Sequence, residues 1–174
     1  MLTILAALTA TMAVVPAATY VSDVIKRRPV RSCRMSHPEQ CKGSGEGITT
    51  DPKFQPALIA FLKSVPKGKY GYKGESAWEP FLRSMSEGPW VPNWSGNGLY
   101  LFDGCILHAC PVRQSAVVIV RGRIVAAAMA GFLCRRCDDG LVIFVKKNDP
   151  LARGAVSALV RWGPYDDPIM EILP

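Results

Sequence analysis

No charged residue occurs between Met1 and Val21, a run rich in Leu, Ala, Val and Thr. Its length suits a secretory hydrophobic region or a single membrane span. The run also lacks the Lys or Arg that usually opens a signal peptide, so a cleaved leader and a retained anchor both stay open. Val15-Pro16-Ala17 and Thr11-Met12-Ala13 provide small-residue cleavage sites, and Lys26, Arg27, Arg28 and Arg31 follow the run. A second absence concerns aromatics. They make up 9% of the chain and do not alternate with basic residues, which argues against a groove that stacks single-stranded nucleic acid. No internal repeat is present, so solenoid and propeller architectures are excluded.

What remains is a globular composition, 49% apolar and 20% charged. The length of 174 residues fits one domain with a leader. Removing some thirty N-terminal residues leaves about 140, enough for a real core. The net charge of +7 reads as solubilising surface, because beyond the basic cluster the Lys and Arg residues are scattered. Six cysteines fall into three local groups: Cys33 with Cys41, Cys105 with Cys110, and Cys134 with Cys137. An even count in close pairs suits an oxidising compartment such as the periplasm, although local pairing is one of fifteen connectivities.

Along the chain, residues 1–22 are expected to be a signal peptide or membrane anchor and residues 23–50 a basic, Gly-rich linker. The folded domain is expected over residues 51–174. Pro56 opens a helix that places Leu58, Phe61, Leu62 and Val65 on one face. Ser76-Ala77-Trp78-Glu79 reads as a capping box before Phe81, Leu82 and Met85. From Asn97-Gly98 the pattern changes to strands: Gly98 to Asp103, Ser115 to Val120, Ile124 to Ala130 and Leu141 to Val145, with a hairpin turn at Arg121-Gly122-Arg123. Asp149-Pro150 caps a helix carrying Leu151, Ala155, Val156, Leu159, Val160 and Trp162, which Gly163-Pro164 stops. The sum is a single α+β domain with a central antiparallel sheet flanked by helices.

The most informative stretch runs from Trp78 to Phe132. Pro92-Asn93-Trp94 precedes the strand Leu99-Tyr100-Leu101-Phe102, which leads into Cys105-Ile106-Leu107-His108-Ala109-Cys110 and then Gln114-Ser115-Ala116-Val117-Val118-Ile119-Val120. This order resembles the inhibitor of vertebrate lysozyme family, whose signature is a Cys-x-x-His-x-Cys loop between two such strands. The resemblance implies a central antiparallel sheet, export to the periplasm and, in many members, a homodimer. It implies a non-enzymatic inhibitor without a cofactor or metal, whose partner is a lysozyme or a lytic transglycosylase-type enzyme. The disulfide-closed loop would enter the target's cleft with His108 against the catalytic carboxyl groups and Cys105 and Cys110 as its clamp. Ile106, Leu107 and Ala109 would share the contact, with Asp103 and Arg113 at its rim. The chemistry is sound in its own right: an imidazole can donate to one carboxyl group and accept from another, and preorganisation lowers the entropy lost on binding.

Two other readings use the same residues. A cytosolic zinc-stabilised domain could take Cys105, His108, Cys134 and Cys137 as ligands. An immunity protein against a cell-wall-degrading toxin would keep the loop and change the target. Cys134-Arg135-Arg136-Cys137 has redox spacing, but Asp138-Asp139-Gly140 after it reads as a turn, so a structural disulfide at a hairpin end is expected. Nucleophilic catalysis by Cys105 or Cys110 lacks an orienting Asn or Asp. His37 is read as part of the segment before the domain, and Trp90 and Trp94 as core or sheet-edge packing.

Overall fold

The computed structural model describes residues 32–41, 47–71, 74–85, 94–96, 98–106, 113–133 and 139–174, with backbone alone at 94–96, 113 and 132. The apolar run Met1 to Val21, expected as a leader or anchor, and most of the Gly-rich stretch lie outside the described residues. Arg31–Pro174 forms one compact unit. Three helices, α1 (Phe54–Leu62), α2 (Trp78–Met85) and α3 (Ala152–Trp162), accompany a six-stranded sheet. Its strands are β1 (Trp94–Gly96), β2 (Leu99–Cys105), β3 (Arg113–Val120), β4 (Arg123–Phe132), β5 (Asp139–Lys146) and β6 (Ile169–Leu173), in spatial order β1 to β6. The fold is α+β. The sheet is antiparallel through β5, as expected of its centre, and β6 runs parallel to β5 at its edge. The cause is the α3 crossover: a helix between two neighbouring strands returns the chain to the starting end.

The strands read as continuous apolar runs because both faces of the sheet are covered. On one face Phe102, Val117, Ile119, Met129, Val142 and Phe144 meet Phe54, Leu58 and Phe61 of α1 and Phe81 and Met85 of α2. Phe144 takes Tyr70 and Phe81 edge-on, with centroids 5.3 and 5.9 Å away. On the other face Ala126, Ala128 and Ala130 of β4 lie with Leu101, Val118 and Ile143 under Ala155, Ala158 and Leu159 of α3. The small side chains on both partners let this helix approach closely. At its end, a Cβ on Gly163 would stand 2.5 Å from Leu141 Cδ2.

Local chemistry explains the boundaries. Pro56 and Pro80 each occupy the third residue of a helix, inside the first turn, where the missing N–H costs nothing. Glu79 reaches back to accept a hydrogen bond from the Ser76 N–H at 2.5 Å, as a capping box requires. Asp149 accepts from the Leu151 N–H at 3.0 Å and pairs with Arg123, so it caps α3 while tying it to the start of β4. The two-residue turn between β3 and β4 has positive φ at Arg121 (47°) and Gly122 (78°), as expected where strand twist sets the turn.

The folded body begins earlier than Asp51. Cys33, Met35, Cys41 and Ile48 are buried in the α1–α2 core, and Cys33 is joined to Cys41 by a disulfide. The buried Asp51 carboxylate accepts the N–H groups of Met35 (2.7 Å) and Lys53 (3.0 Å), binding this segment to the approach of α1. The part of the expected linker that is described is therefore a structural element, packed by side chains that follow no helical or strand period.

Candidate functional site at the β2–β3 pole

β2 ends at Cys105 and β3 begins at Arg113, with Cys105 paired to Gln114 across the ladder. The signature loop is thus the tip of a hairpin whose base is held in a six-stranded sheet. The neighbouring ladders end at the same pole: Arg113 pairs with Gly131, and Phe132 with Asp139. The β4–β5 connection, which contains Cys134 and Cys137, accordingly leaves the sheet beside the β2–β3 connection. The sequence alone did not place the strand ends that flank these two connections at one pole of the sheet.

Two polar ties bracket the base of the hairpin, one on each face. Toward α2, the Ser115 and Ser84 hydroxyls lie 2.6 Å apart and both residues are buried. Ser84 Oγ also lies 3.1 Å from the carbonyl oxygens of Pro80 and Phe81. The two hydroxyl protons can therefore satisfy the pair and the helix end without water. Toward α3, Trp162 Nε1 donates to Asp103 Oδ2 at 2.9 Å. A third tie holds the neighbouring connection: the Gly71 N–H donates to the Leu133 carbonyl at 2.7 Å, one residue before Cys134. Tyr165 lies close to Asp139; burial first, and then that carboxylate's charge, push its phenol pKa upward.

Of the residues expected at the contact and its clamp, Asp103, Cys105 and Ile106 are described, and Arg113 by its backbone. Asp103 is a half-buried bracket for α3 through one of its oxygens. Cys105 is disulfide-bonded. Its partner lies outside the described residues, as do Leu107, His108, Ala109, Cys110, Cys134 and Cys137. A cysteine held in a disulfide has no thiolate to offer a metal, so the zinc set of Cys105, His108, Cys134 and Cys137 loses its first ligand. Among the described residues no group of three His, Cys, Asp or Glu side chains converges as a metal site.

The Cys33–Cys41 loop lies at the other end of the molecule. A Cβ on Gly122, in the β3–β4 turn, would stand 3.4 Å from Ser36 Cα. His37 in this loop is exposed and sits 3.4 Å from Glu39; it is remote from the signature hairpin. Sequence reasoning missed Trp162 as a partner of Asp103 and Ser84 as a partner of Ser115. The Gly163-Pro164 stop located the end of α3, but no local signal tells which strand that end touches. Comparison with protein-family models, with curated proteins and with solved structures gives no match.

Proposed function

We propose that this chain is an exported bacterial inhibitor of a lysozyme or another peptidoglycan-cleaving glycosidase. In this reading it presents Cys105–Cys110 as a hairpin tip, with His108 reaching the target's carboxyl pair. The carrying observation is the placement of Cys105: disulfide-bonded, at the last residue of β2, on a hairpin braced from both faces. A tip on so rigid a base loses little conformational entropy on binding. The protein acts by occlusion, with no covalent step. The charge of +7 opposes long-range attraction to a basic lysozyme, which directs the search toward neutral or acidic lytic enzymes.

The test is an inhibition panel of lysozymes and bacterial lytic transglycosylases, run with the full chain before and after reduction and alkylation. At least one enzyme should be inhibited, reduction should weaken the effect, and His108→Ala should raise the inhibition constant roughly 30-fold or more, the size of an interface hot spot. An unchanged constant in His108→Ala would overturn the role of the loop. Protection of a producing cell from one cognate toxin, with no inhibition across the panel, would favour the immunity protein instead.

A further inference from the structure

We propose that the outer edge of β6 is a self-docking surface on which a second copy of this chain pairs antiparallel, joining two six-stranded sheets into one. Among the described residues β6 is the last strand of the sheet and has β5 as its one neighbour. Among the described residues, the exposed large hydrophobics are Val160, Ile169, Met170 and Ile172, at 36, 51, 40 and 58% exposure. Three of these four belong to β6. Natural sheets protect an open edge with Lys, Pro or a bulge. The strand Ile169-Met170-Glu171-Ile172-Leu173 contains no Lys and no Pro, and its pairing with β5 runs without a bulge. Its one charge, Glu171, is already taken by Lys69 Nζ at 2.5 Å and Tyr70 Oη at 2.6 Å.

The order of residues points to a second copy as the occupant. A two-fold axis through Glu171 sets Met170 opposite Ile172 of the second copy on the α3 face. On the other face it sets Ile169 opposite Leu173 of the second copy. Apolar meets apolar at every position outside the axis, where Lys69 of each copy offsets the facing glutamates. The flanking charges fit the same arrangement. Exposed Asp166 and Asp167 precede β6, and exposed Lys146 and Lys147 lie beside its far end, where Lys146 pairs with Leu173 and the Lys147 N–H donates to the Leu173 carbonyl. Antiparallel pairing brings the acidic end of each copy to the basic end of the other, twice. Pro168 and Pro174 bound the strand. Pairing uses the β6 edge of both copies, so at this edge assembly stops at two.

A strand pair of five residues lies at the small end of interface sizes, so the dimer should be weak and concentration-dependent. Sedimentation equilibrium of the full chain in a neutral, density-matched detergent, over a concentration series, should show reversible monomer and dimer. Ile172→Lys should weaken association by more than about tenfold, since it buries a charge at two equivalent places. Because Ile172 is exposed in the single chain, the urea midpoint should hold. Lys147→Glu should also weaken the dimer, and Lys147→Glu combined with Asp167→Lys should restore it; this pair decides the matter if Ile172→Lys fails to fold. A chain monomeric at every concentration overturns the proposal, and so does a dimer indifferent to both Ile172→Lys and Lys147→Glu.

Discussion

Trp162 Nε1 and Asp103 Oδ2, 59 residues apart in sequence, meet at 2.9 Å and tie the last turn of α3 to the strand that leads into Cys105. Replacing Trp162 by Phe keeps the ring contact and leaves the half-buried carboxylate one donor short. Stability should fall by about 1–2 kcal/mol, read as a lower urea midpoint at unchanged slope. Asp103→Asn keeps an oxygen acceptor and should cost less.

Gly163 marks how closely α3 sits on the sheet. With a Cβ placed 2.5 Å from Leu141 Cδ2 and 3.1 Å from Cδ1, Gly163→Ala must push either the helix end or the buried Leu141. The expected loss is about 1–3 kcal/mol, as for other overpacked cores, and should appear as a lower thermal midpoint. Gly163→Ala combined with Leu141→Ala should lose less than the sum of the two single changes.

The Cys33–Cys41 cross-link closes a short loop on core side chains. On the chain-entropy account, opening so small a ring by the Cys33→Ser/Cys41→Ser double change costs about 2.5 kcal/mol. Urea unfolding of the wild type and the double variant would measure it. Asp51→Ala should lower the midpoint too, since it strands the Met35 and Lys53 N–H groups.

Acid and alkali should act on one cluster. Burial alone would raise the pKa of Glu171, but the hydrogen bonds from Lys69 and Tyr70, with the charge of Lys69, outweigh it and hold the carboxyl below its ordinary value. The stability this gives is present above the unfolded carboxyl pKa, about 4.3, and is lost as pH falls through the lower folded value. Tyr70 is shifted the other way, upward, by burial and then by its bond to Glu171 and that carboxylate's charge. Its contribution is complete below the unfolded phenol pKa, about 10, and is lost as pH rises beyond it. Urea midpoints against pH should therefore show a shallower acid limb for Glu171→Gln and a shallower alkaline limb for Tyr70→Phe.

Much of the sheet was legible because β3, β4 and β5 are apolar on both faces and Arg121-Gly122 supplies the backbone their hairpin needs. Asp149 and Glu79 announced their helices by position. β6 was not legible: five residues between Asp166-Asp167-Pro168 and Pro174 look like a tail, and parallel pairing through a helix has no turn chemistry to betray it. The packing of the 32–41 segment was not legible for a different reason, since Cys33, Met35 and Cys41 reach the core from among polar neighbours at irregular spacing. At the candidate site, the sequence indicated a strand from Gly98 to Asp103 leading into the cysteine loop, and the strand runs two residues further, to Cys105. The sequence could not indicate that Ser84 and Trp162, on two different helices, clasp the base of that hairpin from opposite faces.

The two cysteine-bearing ends of the sheet lie at opposite poles, Cys33–Cys41 by the β3–β4 turn and Cys105 at the start of the β2–β3 connection. The eight residues of β3 span the distance between them, about 27 Å at the usual rise per residue. A fluorophore, a surface linkage or a fused reporter placed at exposed Ser36 would therefore occupy the pole the proposed contact does not use. The molecule then offers a handle at one end and the proposed contact at the other, and an immobilised sensor built on it should leave that contact facing solution.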